Sequence, residues 1–499
     1  MQLSKENLAH IQKNGVSLPP ESVFELPEKV MQFGTGVLLR GLPDYFIDKA
    51  NRQGLFNGRI VVVKSTAAGN ASEFDRQDNL YTLCVKGIDQ GKQVEENILC
   101  SAISRVLSAA TQWKSILEYA CHPELQVVIS NTTEVGLNLQ LESIDQQPPA
   151  SFPAKLLAVL KRRFDHFQGS AASGLVIIPT ELIPDNGNKL KSVLIKLADH
   201  NQLDRSFMHW MLEHNRFCNS LVDRIVPGKP NAETIHRFQN QFGYEDDLLT
   251  VAEVYRLWAI EGDEKVRSVL SFEGADEGVI IAEDIEIYRE LKLRLLNGTH
   301  TLSCGVAFLA GVETVSDAMN NSITSGFISH LMKKEIAPSI PYRISTEEKN
   351  AFAESVLDRF RNPHIRHLWI NITVQYSAKL KMRVLQVLLE HYKNHQDVPF
   401  HIAFGFAAWL VFMRVKGLEG TEYFGEWNNT RYPVKDDQAA YFLKEWERSG
   451  ESGIVTNVLS NEALWGTNLV SLPGFAEAVE KNLQSILHSG VFQSLSKLS

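Results

Sequence analysis

Two hydrophobic periods divide the chain. Up to residue 283, short continuous apolar runs alternate with stretches of helical period. The runs at 58–64 (GRIVVVK), 125–130 (LQVVIS) and 174–180 (GLVIIPT) are too apolar for a sheet with one wet face, so they read as strands buried on both faces of a parallel sheet. The stretch following the polar leader 1–27, LPEKVMQFGTGVLLRGLPDYFIDKANRQG, reads as strand, glycine turn and helix. With a helix at 152–167, residues 28 to 180 are expected to form a doubly wound βαβ sheet. Within it, QDNLYTLCVKGIDQGKQVEENILCSAISRVL gives two β-like runs joined by a turn at 89–92, an inserted hairpin.

A further helix is expected at 189–200, and a strand-like patch at 278–285 (GVIIAEDI) closes the first part. Beyond it the helical period dominates, at 290–309, 317–336, 346–361, 378–393 and 400–414. The expected fold is α/β plus all-α, with residues 1–283 as a dinucleotide-binding domain carrying insertions and 284–499 as a helical substrate and catalytic domain.

Composition narrows the function classes. With 499 residues, 44% hydrophobic and 22% charged, the chain has the make-up of a globular protein large enough for more than one core. A net charge of −9 argues against a partner bound by neutralising nucleic-acid phosphates. Five scattered cysteines without a C-x-x-C pair suggest reduced thiols, residues 1–15 lack an apolar leader core, and no run is long enough to span a membrane. The expected location is the cytoplasm, as a monomer or small homo-oligomer.

Candidate chemistry sits at two places. Gly34 and Gly36 form G-x-G directly behind the apolar stretch ending in Phe33, where backbone N–H groups at a helix start can approach a pyrophosphate. The third glycine of the usual fingerprint is replaced by Leu39, with Gly41 two places on; a purely structural tight turn is the alternative reading. The second strand ends in Lys64, Ser65 and Thr66 rather than in an acid, which leaves NADP open beside NAD. Asn131, at the carboxyl end of the next strand, is either a nicotinamide or ribose contact or a helix N-cap. Asp223 and Arg224, taken alone, read as a structural ion pair.

The second place is 290–300, ELKLRLLNGTH, with Lys292, Asn297 and His300 spaced Lys-x4-Asn-x2-His on a helix whose apolar face is Leu291, Leu295 and Leu296. His300 returns near the side of Lys292, and the three heads converge if the helix end bends Asn297 inward. A lysine in apolar surroundings can exchange a proton near neutral pH, while an amide and an imidazole hold an alcohol or carbonyl oxygen. A solvated helix face is the competing reading.

Five blocks, G-x-G with L-x-R at 34–40, Q-D-x-L-Y-T-L at 77–83, N-S-x-V-D-R-I at 219–225, K-x4-N-x2-H at 292–300 and R-F-x-N-P-x-I at 359–365, together resemble the long-chain mannitol dehydrogenase family over nearly the whole chain. VVISNTTEVG at 127–136, SFPAKL at 151–156, FCNSLVDRIV at 217–226 and RFRNPHI at 359–365 are similar to members acting on hexuronates. The resemblance implies a Rossmann-type N-terminal domain, a helical C-terminal domain with a cleft between them, and no catalytic metal. It implies an NAD(H)-dependent oxidoreductase of hexuronate catabolism interconverting D-altronate and D-tagaturonate. Lys292 would be its acid/base and Asn297 with His300 would hold the oxygen. Phe33, Gly34, Gly36, Arg40, Asn131 and Asp223 are the candidate cofactor contacts.

A sugar acid also calls for a cation, and Lys379, where the family has a substrate-contacting lysine, and Arg383 are the candidates. In place of the asparagine that helps hold the substrate oxygen in polyol-specific members, this chain carries Leu182. Mannonate/fructuronate or mannitol as the substrate pair, and a sugar-acid or nucleotide sensor without chemistry, are the alternative functions.

Overall fold

The computed structural model describes residues 1–11, 15–65 and 72–496. The chain divides into two compact units, Met1–Gly87 with Gln93–Ile285, and Ile88–Lys92 with Glu286–Ser499.

In the first unit the strands are β1 (Glu28–Phe33), β2 (Arg59–Lys64), β3 (Tyr81–Asp89), β4 (Lys92–Cys100), β5 (Ile103–Ser108), β6 (Val127–Ser130), β7 (Val176–Pro179) and β8 (Arg216–Phe217). Six of them form one parallel sheet in the order β5-β2-β1-β6-β7-β8. Numbered by place in the chain, that is 3-2-1-4-5-6, the order of doubly wound dinucleotide folds. Successive side chains point to opposite faces, so Ile60 and Val62 enter one core and Val61 and Val63 the other. All four are fully buried, which is why these strands read as unbroken apolar runs.

The inserted hairpin is present as β3 and β4, and the sequence run that contains it also holds β5, an edge strand of the main sheet. β9 (Ser220–Asp223), β10 (Thr250–Glu253), β11 (Leu257–Glu261) and β12 (Val279–Ala282) complete two smaller sheets, β10-β3-β4 and β12-β11-β9. The polar leader is a packed part of this unit: Leu3, Ile11 and Val16 are buried with Leu80, Phe238 and Phe242 in a satellite core. Their apolar contacts come singly among polar residues, so no period reveals them.

The second unit is built around the helix Phe400–Phe412, whose residues from Ile402 to Phe412 are all buried. A helix apolar on every side must be surrounded by others. Gly405 lets the helix Thr299–Leu309 come close: a Cβ there would stand 2.7 Å from Leu302 Cδ2 and 3.0 Å from its carbonyl oxygen. The helix Thr346–Arg361 starts at a capping box, Ser345 with Glu348. A meander, β13 (Val415–Glu419), β14 (Glu422–Trp427) and β15 (Thr430–Pro433), interrupts the helices; only the helix before it is legible in the sequence. No helix among the described residues is long and apolar enough to cross a membrane.

Candidate active site

In the first unit the reversal of strand order falls between β1 and β6, where doubly wound sheets open a crevice at the strands' carboxyl ends. Gly34 leaves β1 at φ +130°, and a Cβ on it would lie 2.9 Å from Leu39 Cδ1 and 3.0 Å from the Asn131 carbonyl oxygen. Only glycine fits this turn. A Cβ on Gly36, by contrast, would meet nothing within 4 Å, so the start of α1 (Val37–Gly41) is open to an incoming group.

α2 (Pro43–Arg52) follows at once. Gly41 takes over the packing duty of the displaced third glycine, since its Cβ would come 2.8 Å from Val226 Cγ2. The turn thus fits a dinucleotide pyrophosphate.

Phe33 is buried against Phe152, with ring centroids 5.0 Å apart. It belongs to the core on one face of the sheet, directly before the glycine turn. Arg40 is also buried; its Nη1 donates to the Thr35 carbonyl at 2.9 Å and its Nε to Thr250 Oγ1 at 3.3 Å, so it braces the glycine turn from within. Asn131 Nδ2 donates to the Thr180 carbonyl and hydroxyl at 3.2 and 3.0 Å. The short turn Glu134–Leu137 begins after Thr133, so Asn131 is not its cap.

Asp223 ends β9 in the β12-β11-β9 sheet and is buried. Arg224 beside it donates to the carbonyls of Gly41 at 2.7 Å and Glu253 at 2.9 Å, anchoring the end of α1. Lys64 is buried at the end of β2, and Thr66 lies outside the described residues.

Sequence reasoning missed Glu181. This buried carboxylate accepts from Thr132 N–H at 2.8 Å and Oγ1 at 3.0 Å and from Ser130 Oγ at 3.2 Å, and so ties the ends of β6 and β7 together. Leu182 next to it is 61% exposed.

In the second unit the segment carrying Lys292 and Asn297 is wound as a π-helix, Lys292–Gly298, between the α-helices Glu286–Leu291 and Thr299–Leu309. In an α-helix, residues five apart face about 140° away from each other. With i→i+5 hydrogen bonds they come nearly into line, so a widened turn favours the inward bend on which the Lys-x4-Asn spacing depends. The Asn297 carbonyl accepts Thr301 Oγ1 at 2.8 Å, and that hydroxyl accepts Arg383 Nη1 at 3.0 Å.

Arg294, buried in the same π turn, pairs with Glu290 at 3.0 Å and donates to the carbonyls of Met382 and Arg383 at 2.9 and 3.0 Å. Those carbonyls end the helix Tyr376–Arg383, which carries Lys379 and Arg383. One guanidinium therefore sets the two segments against each other.

His300 is 9% exposed and stacked on Phe360 at 4.1 Å. Burial holds its imidazole well below the ordinary histidine value, with positive charge on His367, Arg359, Arg383 and Lys379 acting in the same direction. The ring is neutral at physiological pH, and its buried Nε2 has no hydrogen-bond partner among the described residues.

Arg383 Nε is buried and unpartnered in the same way, while Lys379 Nζ donates to the Ile372 carbonyl at 2.8 Å. His300, Lys379 and Arg383 are near one another, with Arg359 and His367 beside them; Arg359 opens the R-F-x-N-P-x-I block, whereas His367 stands outside every block read in the sequence. Buried polar atoms without partners are uncommon, and a bound polar ligand is one explanation for a pair of them in one cluster.

The chain matches the mannitol dehydrogenase Rossmann domain over residues 28–274 and the mannitol dehydrogenase C-terminal domain over 284–487. It is 36% identical to an altronate oxidoreductase of Halalkalibacterium halodurans over 95% of this chain and 93% of that one. It is also 36% identical to an altronate oxidoreductase of Klebsiella pneumoniae, over 95% and 97%.

Among solved structures, a D-sorbitol dehydrogenase in substrate-free form superposes with TM-score 0.80 at 22% identity, covering 99% of this chain and all of that one. The Pseudomonas fluorescens mannitol 2-dehydrogenase ternary complex with NAD and D-mannitol superposes with TM-score 0.68 at 21% identity, covering 100% and 99%. These two share the fold. Likeness to the relatives from end to end, in both matched domains, reflects common descent, and the chain belongs to the mannitol dehydrogenase family.

Proposed function

We propose that this chain is an NAD-dependent oxidoreductase that interconverts D-altronate and D-tagaturonate in hexuronate catabolism, in the cytoplasm. The observation that carries the substrate class is the buried, neutral His300 with its unpartnered Nε2, ringed by Lys379, Arg383 and Arg359. A neutral polyol gives such a cluster nothing to neutralise, whereas a sugar acid brings a carboxylate. The altronate oxidoreductases to which the chain is similar favour the same reading.

In this mechanism the glycine turn at Gly34 and Gly36 seats the dinucleotide pyrophosphate, Arg40 and Phe33 hold that turn in shape, and Asn131 lies at the nicotinamide side. Asp223, at the end of β9, is a further candidate cofactor contact. When bound, NAD accepts the hydride that leaves the carbinol carbon. Lys292 takes the hydroxyl proton during oxidation and returns it during reduction. Asn297 and His300 hold the oxygen as it changes from hydroxyl to carbonyl, the neutral imidazole serving through Nε2. Lys379 and Arg383 hold the carboxylate. Leu182 offers no donor, so oxygen binding rests on the helix pair.

An NADH-consumption assay with tagaturonate, fructuronate and fructose in parallel tests the assignment: only the first is expected to react fast. Lys292→Ala should lose about 10²- to 10⁴-fold in turnover while NADH still binds. Undiminished turnover in that variant removes the lysine from the mechanism.

A further inference from the structure

The carboxylate subsite given to Lys379 and Arg383 has a neighbour able to change its charge. His367 lies between the helices Thr346–Arg361 and Trp369–Ile372, edge-on to His300 with ring centroids 5.1 Å apart. Its backbone fixes it there: its N–H donates to the Ile365 carbonyl at 3.0 Å, and its carbonyl accepts Val315 N–H at 2.9 Å. Arg359 precedes Phe360, the ring stacked on His300. Four segments of one unit thus deliver basic groups to a single spot.

The charges facing His367 are nearly all of one sign. Lys379 comes from the helix Tyr376–Arg383 and Arg359 from Thr346–Arg361; His300, which Arg383 also acts on, comes from Thr299–Leu309, which carries the buried Cys304 thiol as well. Asp436 acts on Lys379 in the opposite sense, but its oxygens already accept the N–H groups of Ser377 and Gln438 at 2.8 and 2.9 Å. Arg366, beside His367 in the chain, forms an exposed pair with Glu313. Burial, then positive charge on Lys379 and Arg359, holds the His367 imidazole below its ordinary value.

We propose that His367 reads the substrate's carboxylate: its imidazole gains a proton when an anionic sugar acid settles among Lys379, Arg383 and Arg359, so that a proton enters the protein with the sugar acid. This rests on the sugar-acid reading above. A carboxylate placed among the cations cancels the repulsion that keeps the imidazole neutral, and an adjacent opposite charge is worth about 1–3 pH units on such a group. The coupling is reciprocal, so affinity for the sugar acid must tighten as pH falls. An uncharged ketose triggers none of it. His367 is then a specificity-determining residue in an otherwise fixed cationic site.

The test uses the whole protein saturated with NADH, to which altronate is added, a pairing that binds without turnover. Proton uptake is read with a pH indicator in weak buffer between pH 6 and 8, for the wild type and for His367→Asn. The wild type should take up as much as about one proton per altronate bound and the variant markedly less. The KM for tagaturonate should rise with pH by as much as about tenfold per unit in the wild type and more shallowly in the variant, with the larger part of the effect in KM rather than kcat.

Equal uptake in both proteins, or a KM that ignores pH, overturns the proposal. If His367→Asn does not fold, judged by NADH fluorescence titration, the wild type alone decides: uptake with altronate but none with the uncharged ketose D-tagatose supports the idea, and no difference between the two ligands overturns it. A wild type that does not reduce tagaturonate sinks the functional assignment itself; one that reduces it with a flat KM profile sinks only the role of His367.

Discussion

Replacing Arg294 by methionine should damage both the stability of the second unit and its handling of the sugar acid. The guanidinium is 6% exposed, lies 3.0 and 3.2 Å from the two oxygens of Glu290, and donates to the carbonyls of Met382 and Arg383 at 2.9 and 3.0 Å. Methionine fills much of the space and makes none of these bonds. It strands the Glu290 carboxylate, 8% exposed, in the interior. Removing one partner of a buried ion pair costs about 3–5 kcal/mol, most of it the penalty of the charge left behind.

Adding Glu290→Gln should therefore recover part of the loss, leaving about 1–3 kcal/mol for the uncapped carbonyls. Denaturant unfolding of the wild type, both single variants and the double variant closes the cycle, and the NADH dissociation constant should stay unchanged throughout. With the helix end freed, Arg383 loses its setting, so the KM for tagaturonate should rise in Arg294→Met. A cost under about 1 kcal/mol, or a double variant no more stable than Arg294→Met, would refute the account of this pair.

Two further predictions concern the first unit. Asp44, fully buried in the first turn of α2 with the Gln32 amide at 3.4 Å as its one side-chain donor among the described residues, is pushed up to about 8 by burial. A carboxyl raised in the folded state contributes stability that is complete below its unfolded value near 4 and fades as pH climbs through 8, so Asp44→Asn should gain on the wild type by about 5–6 kcal/mol across that window; a gap constant with pH in paired unfolding curves contradicts this. Gly41→Ala should cost about 1–3 kcal/mol by forcing a methyl onto Val226, and Val226→Ala should restore most of the stability and the NADH affinity. Melting curves showing no rescue would mean that Gly41 serves some other purpose.

What the sequence disclosed follows from burial. β2, β6 and β7 are covered on both faces, so their apolar runs could be read directly, and the turn at 89–92 announced the hairpin. β13, β14 and β15 escaped because they are exposed over much of their length and carry no apolar alternation. The packed leader escaped because Leu3, Ile11 and Val16 are too far apart to show a period.

At the candidate site, the types and spacing of Lys292, Asn297 and His300 were visible. The π winding was not, since nothing in composition distinguishes an i→i+5 turn from an i→i+4 one. Arg359 was visible as the first residue of the R-F-x-N-P-x-I block but without a role, and His367 not at all: the packing of Phe360 on His300 and of His300 on His367 sets them in this cluster.

The widened turn also makes the spacing of the reactive side chains a matter of winding rather than of residue count. Deleting Leu293 would let an ordinary, intrinsically steadier α-helix form, with every named side chain still encoded. Asn297 would then stand four places from Lys292 on an α-helix, about 40° round from it, so the amine and the amide would stay on one side. A shortened chain of this kind should fold, bind its nucleotide and keep both groups in register. One residue more, by contrast, would turn the amide away by about 100°.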